Sequence, residues 1–352
     1  MENLVRFYND KRVFITGDTG FKGSWLICML QALGANVCGY ALAPPSEPSL
    51  WDAGRFFKHI QHTHADIIDQ SILQKTLQDY EPDIVLHLAA QSLVRHSYES
   101  PLDTLQTNIM GTASLLEAVR FTPSVLSTVI VTSDKCYHNV GRPHPYVETD
   151  PIGGDDPYSA SKGCAELVTH AYRHSFFSDK GQALASVRAG NVIGGGDFAA
   201  DRLIPDMFRA FVKNDPVSIR YPRATRPWQH VLDPLYGYLL LVEKMAGEPE
   251  KYSHGWNFGP LQQETHTVGE MVERFASYWD GSKVVCDSKE HPHEAVYLGL
   301  DCTQASAKLQ WQPRLSFAES VEWTADWYLR WENGEDAFAL CLEQVEAFLS
   351  LK

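Results

Sequence analysis

An α/β fold, built as a doubly wound parallel sheet with a smaller C-terminal lobe, is what this 352-residue sequence predicts. Three observations carry the prediction. A strand-like run near the N-terminus leads through a glycine loop into an apolar helix. Short β-branched runs then alternate with helical stretches up to about residue 190, which implies right-handed crossovers and a parallel sheet. Beyond Asn191 the texture changes: Gly194-Gly195-Gly196-Asp197 opens an irregular stretch richer in tryptophan, proline and histidine. The predicted division is 1–190 for a dinucleotide-binding domain, with a return segment near 226–245, and 191–352 mainly for a second lobe that would bind substrate.

Arg12-Val13-Phe14-Ile15-Thr16 is a β-branched and aromatic run, suited to a pleated, half-buried surface. Gly17-Asp18-Thr19-Gly20-Phe21-Lys22-Gly23 follows, and 24–31 is an apolar helix. Glycines in that setting let the backbone approach a pyrophosphate, and the amides and dipole of the next helix stabilise its charge. The spacing is G-x-x-G-x-x-G, not the G-x-G-x-x-G of ordinary dehydrogenases. A second strand over 36–42 ends at the proline-rich turn 43–48. A short strand is expected over 65–69, a helix over 71–80, and over 82–90 a buried strand with small residues at its carboxyl end. A long helix over 101–120, a strand over 128–133, a helix over 158–175 and a strand over 183–188 complete the first domain. Trp311, Trp323, Trp327 and Trp331 read as core of the second lobe.

The carboxyl ends of these strands carry the chemistry, where ligands of open α/β sheets bind. Ser133-Asp134-Lys135 ends one strand, and Tyr158-x-x-x-Lys162 opens the next helix. Residues four apart on a helix share a face, so the ammonium can favour the phenolate. Lowering a tyrosine from about 10 to about 7 requires roughly 4 kcal/mol, within reach of a lysine and a cationic nicotinamide ring. Tyr-x-x-x-Lys also recurs by chance on long helices; the glycine loop is what gives it weight.

Composition excludes several classes. A formal charge of −14 argues against nucleic acid as a partner. Nothing resembles a signal peptide and no apolar run approaches the roughly 20 residues that span a bilayer, so the expectation is a soluble, cytoplasmic protein. The seven cysteines lack any C-x-x-C pair and read as reduced thiols, with Cys136 a packing residue. His59, His62 and His64 read as a solvated loop, and no metal is expected.

Taken together, Gly17-x-x-Gly20-x-x-Gly23, Asp66-Ile67, Ala89-Ala90-Gln91 and Tyr158-x-x-x-Lys162 resemble the extended short-chain dehydrogenase/reductase family, whose sheet is of Rossmann type. Within it the chain is most similar to the nucleotide-sugar 4,6-dehydratases, through Thr132-Ser133-Asp134-Lys135-Cys136-Tyr137, Arg188-Ala189-Gly190-Asn191 and Arg226-Pro227-Trp228-Gln229-His230 among other runs. The resemblance implies NAD held by Gly17, Thr19, Gly20, Phe21, Lys22, Gly23, Asp66, Ile67, Leu88, Ala89, Ala90, Asn108, Tyr158 and Lys162. It implies a nucleotide sugar held by Gln91, Ser92, Asn191, Arg202, Arg226 and His293, with His291 nearby, and a homodimer or homotetramer paired through the helices over 101–120 and 158–175. It also implies an internal redox cycle. Tyr158, aided by Lys162 and Ser133, takes the sugar 4-hydroxyl proton as hydride leaves C4 for NAD; the C5 proton and the C6 hydroxyl are lost, Asp134 protonating the departing oxygen; and hydride returns at C6.

Three departures from the family pattern stand out. Dehydratases acting on dTDP-glucose carry Asp-Glu where this chain has Asp134-Lys135, which leaves the C5 base open, with Lys135 the nearest candidate. No acid follows the second strand, which reads Tyr40-Ala41-Leu42, yet no lysine or arginine between Lys22 and Arg55 could neutralise a 2′-phosphate, so NAD is favoured over NADP. Asp18 stands where the pattern suggests histidine. The rival readings are a 4-epimerase, which has no use for Asp134, an inverting dehydratase acting on UDP-N-acetylglucosamine, and an NAD-sensing regulatory module.

Overall fold

The structure, a computed structural model, describes residues 2–141, 144–177, 181–219, 221–260, 266–286 and 299–351. Seven strands form one parallel sheet: β1 (Arg12–Thr16), β2 (Asn36–Ala41), β3 (Gln61–His64), β4 (Ile84–His87), β5 (Ser127–Val131), β6 (Ala183–Ala189) and β7 (Gly255–Phe258). Their spatial order is β7-β6-β5-β4-β1-β2-β3. The reversal next to β1 makes the sheet doubly wound, of Rossmann type, and the crevice there is where such sheets take ligands.

Period-two alternation sorts side chains between the two faces. Val13 and Ile15 of β1, Ile84 and Leu86 of β4, and Val129 and Val131 of β5 enter one core, with the helices Phe21–Ala32 and Leu232–Gly247. Phe14, Val85, Ile130 and Leu184 enter the other, against Leu73 and Leu77 of helix Gln70–Tyr80 and Leu115, Leu116 and Val119 of helix Gly111–Arg120. The first core runs on into the second lobe without a break. Trp25 Nε1 donates to Gly195 O at 3.0 Å, and the Trp327 ring lies so close over Gly195 that a Cβ there would come within 2.0 Å of it. Trp311 and Trp327 are buried, while Trp323 and Trp331 are half-buried against the same core.

Three elements differ from expectation. The strand near the histidines is β3 at Gln61–His64, and 65–69 is the turn after it; His62 is therefore a strand residue, not part of a solvated loop. Its four residues hold no apolar side chain, and it lies at the edge of the sheet, paired with β2 alone. The long helix is broken in character: Pro101–Leu105 and Gly111–Arg120 are α-helical, with a π-turn at Gln106–Met110 between them. Strand β7, parallel to β6, was not visible to the sequence reading.

Candidate active site

The glycine loop is shaped by contacts that only glycine tolerates. Gly17 has φ +75°, and a Cβ on it would lie 2.6 Å from Ala89 N and 2.7 Å from Leu88 C. A Cβ on Gly23 would lie 2.3 Å from Gly17 O. The loop is thus pressed against the carboxyl end of β4, where Leu88, Ala89 and Ala90 are partly exposed. Gly20 precedes helix Phe21–Ala32 and no side chain caps it, which leaves the first-turn amides available to an anion. Thr19 Oγ1 donates to Leu42 O at 3.0 Å, tying the loop to the end of β2. These features fit a dinucleotide pyrophosphate. Gly17→Ala is expected to lose at least tenfold in dinucleotide affinity, through both the disallowed φ and the clash; isothermal titration alongside thermal melting checks it.

Asp66 and Ile67 follow β3. Tyr40 Oη donates to Asp66 O at 2.9 Å, and Asp66 Oδ1 accepts from Ile68 N at 3.2 Å. Ile67 is buried against Gly111 in the second core. Asn108 sits in the π-turn, where its amide accepts from Gln91 N at 2.9 Å and donates to Gln91 O at 3.0 Å and Ser161 Oγ at 2.8 Å. The extra residue of a π-turn re-aims a side chain without ending the helix. Asn108 therefore clamps the loop after β4 to helix Pro157–Tyr172.

On that helix Tyr158 and Lys162 lie one turn apart, both buried. Ser133 and Asp134 close β5 opposite them. Asp134 is 2% exposed; its Oδ1 accepts from Ser133 Oγ at 2.8 Å, and Oδ2 has no hydrogen-bond partner among the described residues. A Cβ on Gly190 would lie 3.0 Å from that Oδ2, so the carboxylate sits against the turn leading to Asn191. Lys135 is half-buried on the same turn. Burial pushes the Tyr158 phenol up to about 12; a hydrogen bond with Ser133 pulls it down, Asp134 pushes it up, and Arg202 pulls it down. Lys162 is lowered to about 8 by burial, against the charges of Cys136 and Glu166, and its Nζ donates to Val131 O at 3.4 Å. The sequence picture of one ammonium favouring the phenolate is thus incomplete: desolvation dominates both groups.

The expected substrate residues are distributed unevenly. Arg202 donates to Asp197 Oδ2 at 2.9 Å and to Ser92 Oγ at 3.2 Å, and its charge reaches Tyr158. Gln91 is folded into its own loop, its amide donating to Thr104 Oγ1 at 2.8 Å and Leu93 O at 3.1 Å. Asn191 is half-buried beside Gln229, whose backbone N–H donates to Asn191 O at 3.2 Å. Arg226 lies on the short strand Thr225–Arg226, antiparallel to His266–Thr267; the next residue, Pro227, packs on Gly190. His291 and His293 fall outside the described residues.

Two buried pairings were not expected from the sequence, the second of them at Asp18, whose departure from the family pattern was noted without a reason. Beneath the site, Glu166 accepts from Arg188 Nε at 2.9 Å and Nη2 at 2.8 Å and from Ser186 Oγ at 2.7 Å, and Thr132 Oγ1 also donates to it. Arg188 Nη1 donates to Tyr137 Oη at 2.6 Å. The available signal was spacing: Glu166 follows Lys162 by four, as Lys162 follows Tyr158. The second group is Asp18, wholly buried, whose Oδ2 accepts from His62 Nδ1 at 2.7 Å. A Cβ on Gly39 would come within 2.0 Å of that carboxylate, so the glycine in β2 makes room for it.

The chain matches the family model described as GDP-mannose 4,6 dehydratase over residues 14–324. It is 47% identical over 350 residues to a CDP-glucose 4,6-dehydratase of Salmonella typhimurium strain LT2, covering 98% of each chain. Among solved structures it resembles the epimerase Mth375 of Methanothermobacter thermautotrophicus with a TM-score of 0.80 at 25% identity, over 94% of this chain and 96% of that one. The fold also matches that of a dTDP-glucose 4,6-dehydratase from Streptomyces venezuelae solved with NAD bound, with a TM-score of 0.77 at 23% identity, over 93% and 99% of the two chains.

Proposed function

Because the chain belongs to the GDP-mannose 4,6 dehydratase family, within the extended short-chain dehydrogenases/reductases, we infer that it is a hydro-lyase acting on a nucleotide-linked hexose. It converts CDP-D-glucose to CDP-4-dehydro-6-deoxy-D-glucose and water. The observation that carries the reading is 47% identity along nearly the whole of both chains to a protein of that activity. The buried Asp134 beside Tyr158 supports a dehydratase over a 4-epimerase, since epimerisation expels no hydroxyl.

NAD is the cofactor that fits. Gly17, Gly20 and Gly23 let the loop pack on itself and on the end of β4, and the uncapped helix start, with Thr19, Phe21 and Lys22, is where the pyrophosphate would be held. Asp66, Ile67, Leu88, Ala89, Ala90 and Asn108 are the further residues we assign to NAD. What bound NAD supplies is a reversible acceptor for the C4 hydride, retained and handed back at C6, so no external reductant is consumed. Tyr158 removes the proton of the 4-hydroxyl, helped by the Ser133 hydrogen bond and the nearby cations of Lys162 and Arg202. Asp134, shielded from water, delivers a proton to the departing 6-oxygen. Lys135 takes the C5 proton. Ser92, Asn191, Arg202 and Arg226 face the nucleotide diphosphate, for which an arginine fork is better shaped than a lysine, and Gln91 shapes the loop that carries Ser92. His293 completes the substrate set.

A dimer or tetramer is part of this reading. Leu102 (79% exposed), Met110 (55%) and Leu167 (60%) are apolar side chains facing outward from the helices that border the site. No described helix is long and apolar enough to cross a membrane; a cytoplasmic enzyme supplying a keto sugar for deoxysugar or O-antigen-type polysaccharide assembly is the setting we infer. The test of the reaction is isotopic. CDP-glucose deuterated at C4 is expected to give product with the label at C6, read by mass spectrometry and NMR; label found in solvent or in free cofactor would sink the internal return.

A further inference from the structure

The buried charges beneath the site belong to no step assigned so far. Glu166 and Arg188 are each 5% exposed, and burying such a pair brings little net stability over apolar packing of the same volume. What it fixes is direction. Glu166 stands one turn beyond Lys162 and two beyond Tyr158 on helix Pro157–Tyr172, while Arg188 lies on β6. Between them they hold both flanks of the short turn Asp134–Cys136, which carries Asp134 and Lys135. On the near flank, Thr132 Oγ1 donates directly to Glu166. On the far flank, Tyr137 Oη accepts from Arg188 Nη1 at 2.6 Å and donates to Asn257 Oδ1 of β7 at 2.7 Å. Room is left for the guanidinium, since a Cβ on Gly255 would lie 2.6 Å from Arg188 Nη2.

The two flanks bear on different groups. Ser133 is held from the strand side, where Thr132 N–H donates to Val187 O at 2.9 Å. Asp134 and Lys135 lie in the turn itself, which Tyr137 ends, its backbone N–H reaching Asp134 O at 3.5 Å. We propose that the Glu166–Arg188 pair, acting through the Tyr137 hydroxyl, positions Asp134 and Lys135 relative to Tyr158, which makes Tyr137 a positioning residue for loss of water and not for oxidation at C4. This rests on the reading of the chain as a nucleotide-sugar 4,6-dehydratase and gives the second half of that reaction its own support.

Tyr137→Phe in the full-length protein, with NAD bound and CDP-glucose as substrate, tests it. The ring keeps its stack on Tyr146, and Arg188 keeps Glu166 and Glu148 O. Single-turnover cofactor reduction is expected within about twofold of wild type while loss of water, read by mass spectrometry of quenched samples, slows on the order of tenfold. A 4-keto sugar nucleotide that retains its 6-hydroxyl then accumulates. Arg188→Lys keeps a charge beside Glu166 but lacks the fork that reaches Tyr137; it is expected to show the same split, and it carries the test should Tyr137→Phe not fold. Tyr8→Phe removes another buried hydroxyl, which donates to Leu239 O at 2.9 Å from the end of helix Glu2–Tyr8, and controls for lost stability alone. Both steps slowed alike, both unmoved, or the same split in Tyr8→Phe would overturn the proposal. A wild-type protein that reduced its cofactor on CDP-glucose without losing water would instead bring down the dehydratase reading itself.

Discussion

Tyr158→Phe is expected to abolish C4 oxidation in practice, with single-turnover cofactor reduction slowed by about 10² to 10⁴, and to leave the fold intact. The replacement removes one oxygen from a 7%-exposed ring. The hydrogen bond it loses runs to Ser133, which retains its bond to Asp134 Oδ1 at 2.8 Å. No cavity opens, and Ser133 is not stranded. The chemical loss is large by contrast, because the phenol oxygen that takes the proton is gone and Lys162 Nζ donates to Val131 O at 3.4 Å. Stopped-flow absorbance of the reduced cofactor, with circular dichroism as the fold control, reads both halves. A variant that still reduced its cofactor within a few-fold of the wild-type rate would remove Tyr158 from the reaction.

How far the sequence carried this picture depends on the range of the interactions involved. Strand β1 runs from Arg12 to Thr16 as its side chains predict, because five consecutive β-branched, aromatic or long residues leave little choice. The pairing of Tyr158 with Lys162 follows from helix periodicity, and their approach to Ser133 follows from the parallel order of β5 and β6. All of that is local pattern plus one topological rule. Strand β3 was missed because Gln61-His62-Thr63-His64 has no apolar member; its strand character comes from the edge of β2, not from its own residues. Strand β7 lies far along the chain from the first six strands, beyond irregular structure, and only its pairing with β6 declares it. The Glu166–Arg188 pair joins a helix to a strand at 22 residues' separation, and the Asp18–His62 bond joins a loop to an edge strand at 44. Neither separation has a period to betray it. Asp18, which had no rationale in the sequence, acquires one in packing: Gly39 is absent a side chain where the carboxylate lies. Gln91 shows the converse, a residue that family resemblance places toward substrate and whose amide the structure spends on Thr104 and Leu93.

Asp134→Asn separates the second half of the reaction from the first. The amide nearly matches the carboxylate in volume, so Gly190, which would place a Cβ 3.0 Å from Oδ2, meets no new bulk. The Ser133 hydroxyl can still donate to the remaining carbonyl oxygen. What is lost is the capacity to hand over a proton at Oδ2, a buried oxygen that has no hydrogen-bond partner among the described residues, so loss of water is expected to slow by about 10² to 10⁴ while C4 oxidation persists. Reduced cofactor and a 4-keto-hexose nucleotide that still carries its 6-hydroxyl should then accumulate, and mass spectrometry of the quenched mixture would find substrate mass less two hydrogens. Lys135→Ala supplies the contrast that divides the roles. If Lys135 takes the C5 proton, that variant also oxidises C4 but no longer exchanges C5 hydrogen with deuterated solvent, whereas Asp134→Asn exchanges it freely. Exchange at the normal rate in Lys135→Ala would assign the C5 base elsewhere, and equal loss of cofactor reduction in Asp134→Asn and Tyr158→Phe would overturn the separation of proton abstraction at the 4-hydroxyl from proton delivery at the 6-oxygen.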